Sequence, residues 1–127
     1  MADRNFDELQ ILGKFKKVIA GSFAPNGSSA VDNTSNTGRG FSVARTGVGA
    51  FTITLEDKYA ALDQIGFQLA LGTPASAHDI CVGAVDVSSA KTIAFVHYSG
   101  GAAADIAAAT GNRIYFELVL ANSTAIG

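Results

Sequence analysis

The sequence predicts an all-β protein: an antiparallel β-sandwich or small barrel of roughly seven to eight strands, preceded by a short N-terminal helix or arm. Apolar residues recur at every second position in several short runs, which is the spacing of half-buried strands. Gly, Asn, Ser and Pro separate those runs, and no long run has the spacing of an amphipathic helix. No fixed period repeats along the chain, which argues against a solenoid or a propeller.

The clearest element is a β-hairpin between residues 41 and 55. In a strand, side chains at alternate positions point to the same face, so each arm has one apolar face. The predicted inward set is Phe41, Val43, Phe51, Ile53 and Leu55. Gly47-Val48-Gly49 forms the turn, where glycine supplies the positive φ of a tight hairpin. Arg45 and the neighbouring serine and threonines are predicted on or near the wetted side.

The remaining elements are justified by the same alternation. Further strands are predicted over residues 14–23, 65–71, 80–87, 92–98 and 113–120. The facing of the first is ambiguous, because both of its sides carry apolar and polar residues. Residues 25–38, rich in Asn, Ser, Thr and Gly, form a long loop, and loops of this length are usually functional or mobile. The Ala-rich residues 100–111 are either a loop or a single helical turn.

Length and composition limit the architecture and the partners. With 127 residues the chain can bury about two-thirds of its unfolded surface, enough for a core without disulfides or metals. We divide it into an arm or short helix over residues 1–13 and a single β domain over residues 14–127. Only 16% of residues are charged, below the roughly 25% usual for soluble domains. Part of the exterior is therefore expected to be hidden against neighbouring molecules.

Charge and hydropathy exclude several function classes. The net charge is −2, so the overall electrostatic field of the protein does not attract nucleic acid. Lys14, Lys16 and Lys17 are interpreted as solvated residues on a strand edge. No apolar run approaches the ~18 residues of a membrane span, and the polar start is unlike a signal peptide. We therefore expect no nucleic-acid or membrane partner, and synthesis in a cytosol.

No residue constellation carries recognisable chemistry. His78 and His97 lack the spaced Cys or Glu partners of a zinc site and are interpreted as strand-end histidines. Cys81 is predicted to be a small buried hydrophobe, because no neighbouring His or Lys would lower its pKa. The Asp32-Asn-Thr-Ser-Asn run lacks the acidic density of a calcium loop. We predict no enzymatic activity, no cofactor and no catalytic or metal-binding residue.

Four segments resemble small virion proteins of tailed bacteriophages. They are residues 18–27, 40–59, 82–86 and 111–123, of which the most specific is Gly40-Phe-Ser-Val-Ala-Arg-Thr-Gly-Val-Gly-Ala-Phe-Thr-Ile-Thr-Leu55 and its continuation. The chain is similar to the cement, or decoration, proteins of phage heads, which are small β-rich modules, commonly trimeric, bound outside the shell.

This resemblance implies a capsid decoration protein that binds and stabilises the assembled shell. The implied partners are the major capsid protein lattice and the chain itself, as a homotrimer. The implied location is the capsid surface of the virion, after synthesis in the bacterial host cytoplasm. A tail or tail-fibre module, adhesin-like and facing a receptor, is the alternative.

The N-terminal arm supplies the candidate interaction residues. Phe6, Leu9, Ile11 and Leu12 form its apolar set, followed by Gly13 as a stop. An amphipathic terminus commonly docks into a groove of a partner. The alternative is that these residues pack on their own subunit, and the sequence leaves both open.

Overall fold

The computed structural model describes residues 16–74 and 77–121, and the predicted all-β class is confirmed there. A short 3-10 turn covers Asn33–Ser35. The strands are β1 (Lys16–Phe23), β2 (Phe41–Gly47), β3 (Ala50–Leu55), β4 (Ala61–Ala70), β5 (His78–Asp86), β6 (Thr92–Ser99), β7 (Ala102–Ala103) and β8 (Arg113–Ala121). The predicted arm, with Phe6, Leu9, Ile11 and Leu12, lies outside the described residues.

The strands form a sandwich of two antiparallel sheets. One sheet has three strands in the order β1-β8-β4, and the other has five, in the order β2-β3-β6-β5 with β7 paired to β6. No strand is shared between the two sheets, so the barrel alternative is wrong for the described residues. β1 lies at a sheet edge, and its Lys17 is exposed, as the edge interpretation of the lysines predicted.

The core lies between the sheets and follows the predicted alternation. In β8 the inward residues Ile114, Phe116, Leu118 and Leu120 are each at most 4% exposed. Phe51 belongs to an aromatic cluster, with its ring centroid 5.3 Å from that of Phe23 and 5.4 Å from that of Phe95. Such tilted and offset pairs add packing energy beyond area burial.

The hairpin has the predicted facing, with one correction. Val43, Phe51, Ile53 and Leu55 are buried, and Phe41 packs against the core from its margin. Arg45, however, shares the inward parity of Val43, pairs with Phe51 in the ladder and is half-buried. Its guanidinium is accommodated there because it pairs with a carboxylate from a distant loop, described below.

Strand β5 corrects a second prediction. Cys81 was predicted to be buried but is exposed. The inward positions of this edge strand are Ile80 and Val82, so the intervening Cys81 points outward. A bulge between Val82 and Val85 then shifts the alternation, and Val87 is the next residue to be buried.

The long connection between β1 and β2 closes one side of the sandwich. The Asn33 side chain acts as a strand partner for Val43, donating to its carbonyl at 3.0 Å and accepting from its N–H at 2.8 Å. Ser22 and Thr37 form a backbone bridge, and Arg113 donates to the Ser22 hydroxyl at 2.6 Å. The loop therefore seals the gap between the edge strands β1 and β2.

Candidate functional site

The two histidines contact each other and form part of a structural hydrogen-bond chain. His97, which is 1% exposed, donates from Nδ1 to the Ala104 carbonyl at 2.7 Å, since a carbonyl can only accept. Its Nε2 lies 2.8 Å from Nδ1 of His78, and one of these two nitrogens donates to the other. The residues lie diagonally across the β5–β6 pair, a register that the sequence alone did not specify. Within residues 16–74 and 77–121 no three His, Cys, Asp or Glu residues group to hold a metal ion.

An ion pair between two half-buried side chains fixes the end of the hairpin. Arg45 donates from Nε and a terminal nitrogen to the two carboxylate oxygens of Asp105, each at 2.9 Å, and the Gly49 N–H donates to the same carboxylate at 2.9 Å. These hydrogen bonds, first from Arg45 and then from Gly49, hold the pKa of Asp105 below its ordinary value, against a smaller opposing effect of burial. Sixty residues separate the pair, so sequence reasoning missed it.

Acid should remove the stabilisation that Asp105 supplies. Its pKa is lowered by folding, so its contribution is complete above the ordinary value of 3.8 and disappears as the pH falls through the lower value of the folded protein. We expect Asp105→Asn to be clearly less stable than the parent at about pH 6, and the difference to shrink toward about pH 2. Urea midpoints at both pH values measure this, with Asp57→Asn in an exposed turn as the control. A difference that stays constant with pH would contradict the assignment.

Asp32 also has a structural role. Its carboxylate accepts from the Thr34 hydroxyl at 2.6 Å and from the Thr34 N–H at 3.0 Å, and so caps the 3-10 turn. These two hydrogen bonds lower the pKa of Asp32. Both hydrogen bonds of the Asp32 carboxylate are therefore made within its own turn.

The candidate functional site is the outer face of the three-stranded sheet. Three cross-strand rows form its middle: Val18, Val119 and Gln64; Ala20, Glu117 and Gly66; and Ser22, Tyr115 and Gln68. The flanking rows carry Lys16 at one end and Arg113 at the other. Val18 is 52% exposed and Tyr115 is 48% exposed. Glu117 is the one charged side chain in the three middle rows.

A shallow hollow lies in the middle of this face. Ala20 and Gly66 leave its floor low, because the first has a small side chain and the second has none. Tyr115, Glu117, Gln68 and Thr37 surround it, and the space is about 550 Å³. Glu117 stands between Ala20 and Gly66 in the middle row, so a single carboxylate lies among small and uncharged neighbours. The low charge content predicts that part of the exterior contacts other molecules, and this face is a candidate for that part.

Comparison with known protein families, with curated proteins and with solved structures finds no match to this chain. In the part of the chain that the structure describes, no helix has the length and apolar character needed to cross a lipid bilayer.

Proposed function

We propose that this chain is a phage virion structural protein, a capsid cement protein that binds the outside of the assembled shell. The observation that carries the proposal is the middle of the outer face of the β1-β8-β4 sheet, where Val18 and Tyr115 are exposed beside the hollow at Gly66 and Glu117 is the one charged side chain in the three central rows. Exposed apolar residues gathered on one face mark an interaction site more often than a free surface. The resemblance of four segments to phage virion proteins supplies the identity of the partner.

The mechanism of a cement protein requires only binding. A module that binds the assembled lattice and not its free subunits stabilises that lattice by its binding free energy, repeated at every site. Such a role needs no reactive side chain. Among the described residues, His97, Arg45 and Asp105 all make internal contacts. A homotrimer adds multivalency, because three linked modules bind neighbouring sites together.

The alternative is a tail or tail-fibre module. The hollow beside Tyr115 and Glu117 is the observation that favours this alternative. An aromatic ring with polar neighbours also suits a surface that binds a receptor. Such a module would bind at a few positions on the particle and would leave the shell's resistance to heat unchanged.

The experiment that tests the cement role compares shells with and without this chain. We expect wild-type protein, added to shells that lack it, to bind and raise their rupture temperature. Val18→Lys places a charge on the proposed contact face and should weaken binding about tenfold or more, since each 1.4 kcal/mol is a factor of ten. Val48→Lys is the matched control, because Val48 is 59% exposed but lies in the hairpin turn. Shells that rupture equally with and without the protein would contradict the role.

A further inference from the structure

One side of the sandwich is open. The gap between β1 and β2 is sealed by the 24–40 connection, whereas the gap between β4 and β5, at the opposite side, forms a groove of about 340 Å³. Five half-buried apolar side chains line it, Ile65, Phe67 and Leu69 from β4 and Ile80 and Val82 from β5, together with polar backbone of the two edge strands. His78 and Asp79 lie at one end.

The groove opens onto the core. The Phe67 ring lies in it and is also in contact with the core, with its centroid 4.5 Å from that of Phe95 and 6.3 Å from that of Phe116. Both wall strands are sheet edges: β4 pairs with β8 and β5 with β6, and neither has a second partner among residues 16–74 and 77–121. The groove therefore offers both apolar side chains and unpaired strand edges, a combination that an extended segment can bind.

The described chain begins on the Ile65 side of this groove, three ladder positions before the groove lining, since Ile65 lies opposite Leu118 and Leu118 opposite Ile19. Lys16, the first described residue, lies opposite Ala121, which in turn lies opposite Ala61, the first residue of β4. The Lys16 ammonium contacts the Asp63 carboxylate across the same sheet end. Two strand spacings, or about 10 Å, separate Lys16 from β4, and a few residues at about 3.3 Å each span that distance.

We propose that the chain's own N-terminal segment, residues 1–13, occupies the β4–β5 groove, with Phe6, Leu9, Ile11 and Leu12 against its walls. The segment brings four apolar side chains to a groove lined by apolar side chains. Its tether to β1 gives it a millimolar effective concentration at the groove, which favours the tethered segment over a second copy.

This inference resolves the choice that the sequence left open for the arm, and it does not depend on the cement role. It assigns the four apolar residues to their own subunit. Contact with the shell then falls to the outer face of the three-stranded sheet.

Disulfide trapping in the isolated protein tests the inference. In a Cys81→Ser background, Leu9→Cys combined with Val82→Cys should form an intramolecular disulfide under mild oxidation, seen as a monomer of shifted mobility that reverts on reduction. Leu9→Cys with Val48→Cys, at a distant turn, is the control and should form at least tenfold less. Disulfide-linked dimers would assign the groove to a second copy, and equal trapping at both positions would show no specific docking. Either result overturns the inference.

Deletion of residues 1–12 provides an independent readout. The two-sheet core is complete without the segment, so the variant should fold, melt at a lower temperature and exchange the amide hydrogens of Ile65–Leu69 faster. A truncated protein with the parent's melting temperature and β4 protection would overturn the inference. If that protein also failed to decorate shells, the arm would be a shell contact instead.

Discussion

Replacing Phe51 by alanine should lower the free energy of unfolding by about 3–5 kcal/mol. Phe51 is 1% exposed, and its ring packs against those of Phe23 and Phe95. Truncation removes the buried area and leaves a cavity that rigid neighbouring strands cannot close. For a chain of this size the melting temperature should fall by roughly 10–20 °C.

Thermal and urea unfolding measure this effect. Tyr115→Ala is the control, because Tyr115 is also aromatic and in a strand but is 48% exposed. Its loss should change stability by about 0.5 kcal/mol or less. Equal effects of the two substitutions would mean that the hairpin does not face the core.

Gly49→Ala should be nearly as damaging, although it adds only one methyl group. Gly49 has φ of 66°, a conformation that costs an L-residue about 1–2 kcal/mol. A Cβ there would lie 2.6 Å from the His97 carbonyl oxygen and 2.7 Å from that of Ala104. Both are backbone atoms, so the hairpin turn must move away from β6 and from the residue that follows β7, which adds about 1–3 kcal/mol.

Gly100 separates these two contributions. It has a similar φ of 63°, but a Cβ there meets nothing within 4 Å. Gly100→Ala should therefore cost only the conformational part, about 1–2 kcal/mol. If the two variants unfold at the same urea concentration, the close approach at Gly49 has no energetic consequence, and the packing described for the turn is wrong.

Much of the fold could be predicted because alternation is a local property. The period-two pattern of Ile114, Phe116, Leu118 and Leu120 specified both a strand and its inward face, and the same held for Ile65, Phe67 and Leu69 in β4. The Gly-containing turn of the hairpin also followed from local backbone preference. A local pattern does not, however, determine which strands pair, so sandwich and barrel stayed open until the sheets were seen.

Contacts between distant residues could not be predicted. The partner of Arg45 is Asp105, in an Ala-rich segment with no periodicity, and an isolated Arg at an inward position was therefore placed on the wetted side. Cys81 was misplaced because Ile80-Cys-Val is apolar throughout, and only the register with β6 decides which residues of an edge strand face inward. The low charge content predicts a surface in contact with other molecules, but the place of the candidate face depends on the cross-strand rows that bring Val18, Tyr115 and Gly66 to one side of a sheet.

The copy number of this chain relative to the major capsid protein tests the proposed role most directly. A cement protein follows the lattice, so densitometry of purified virions should give a stoichiometry near one copy per capsid subunit, in hundreds of copies per particle. A tail module occupies only the few equivalent positions around the tail axis, so it is present in few copies per particle. A few copies confined to one vertex, or no copies in the particle, would contradict the cement assignment.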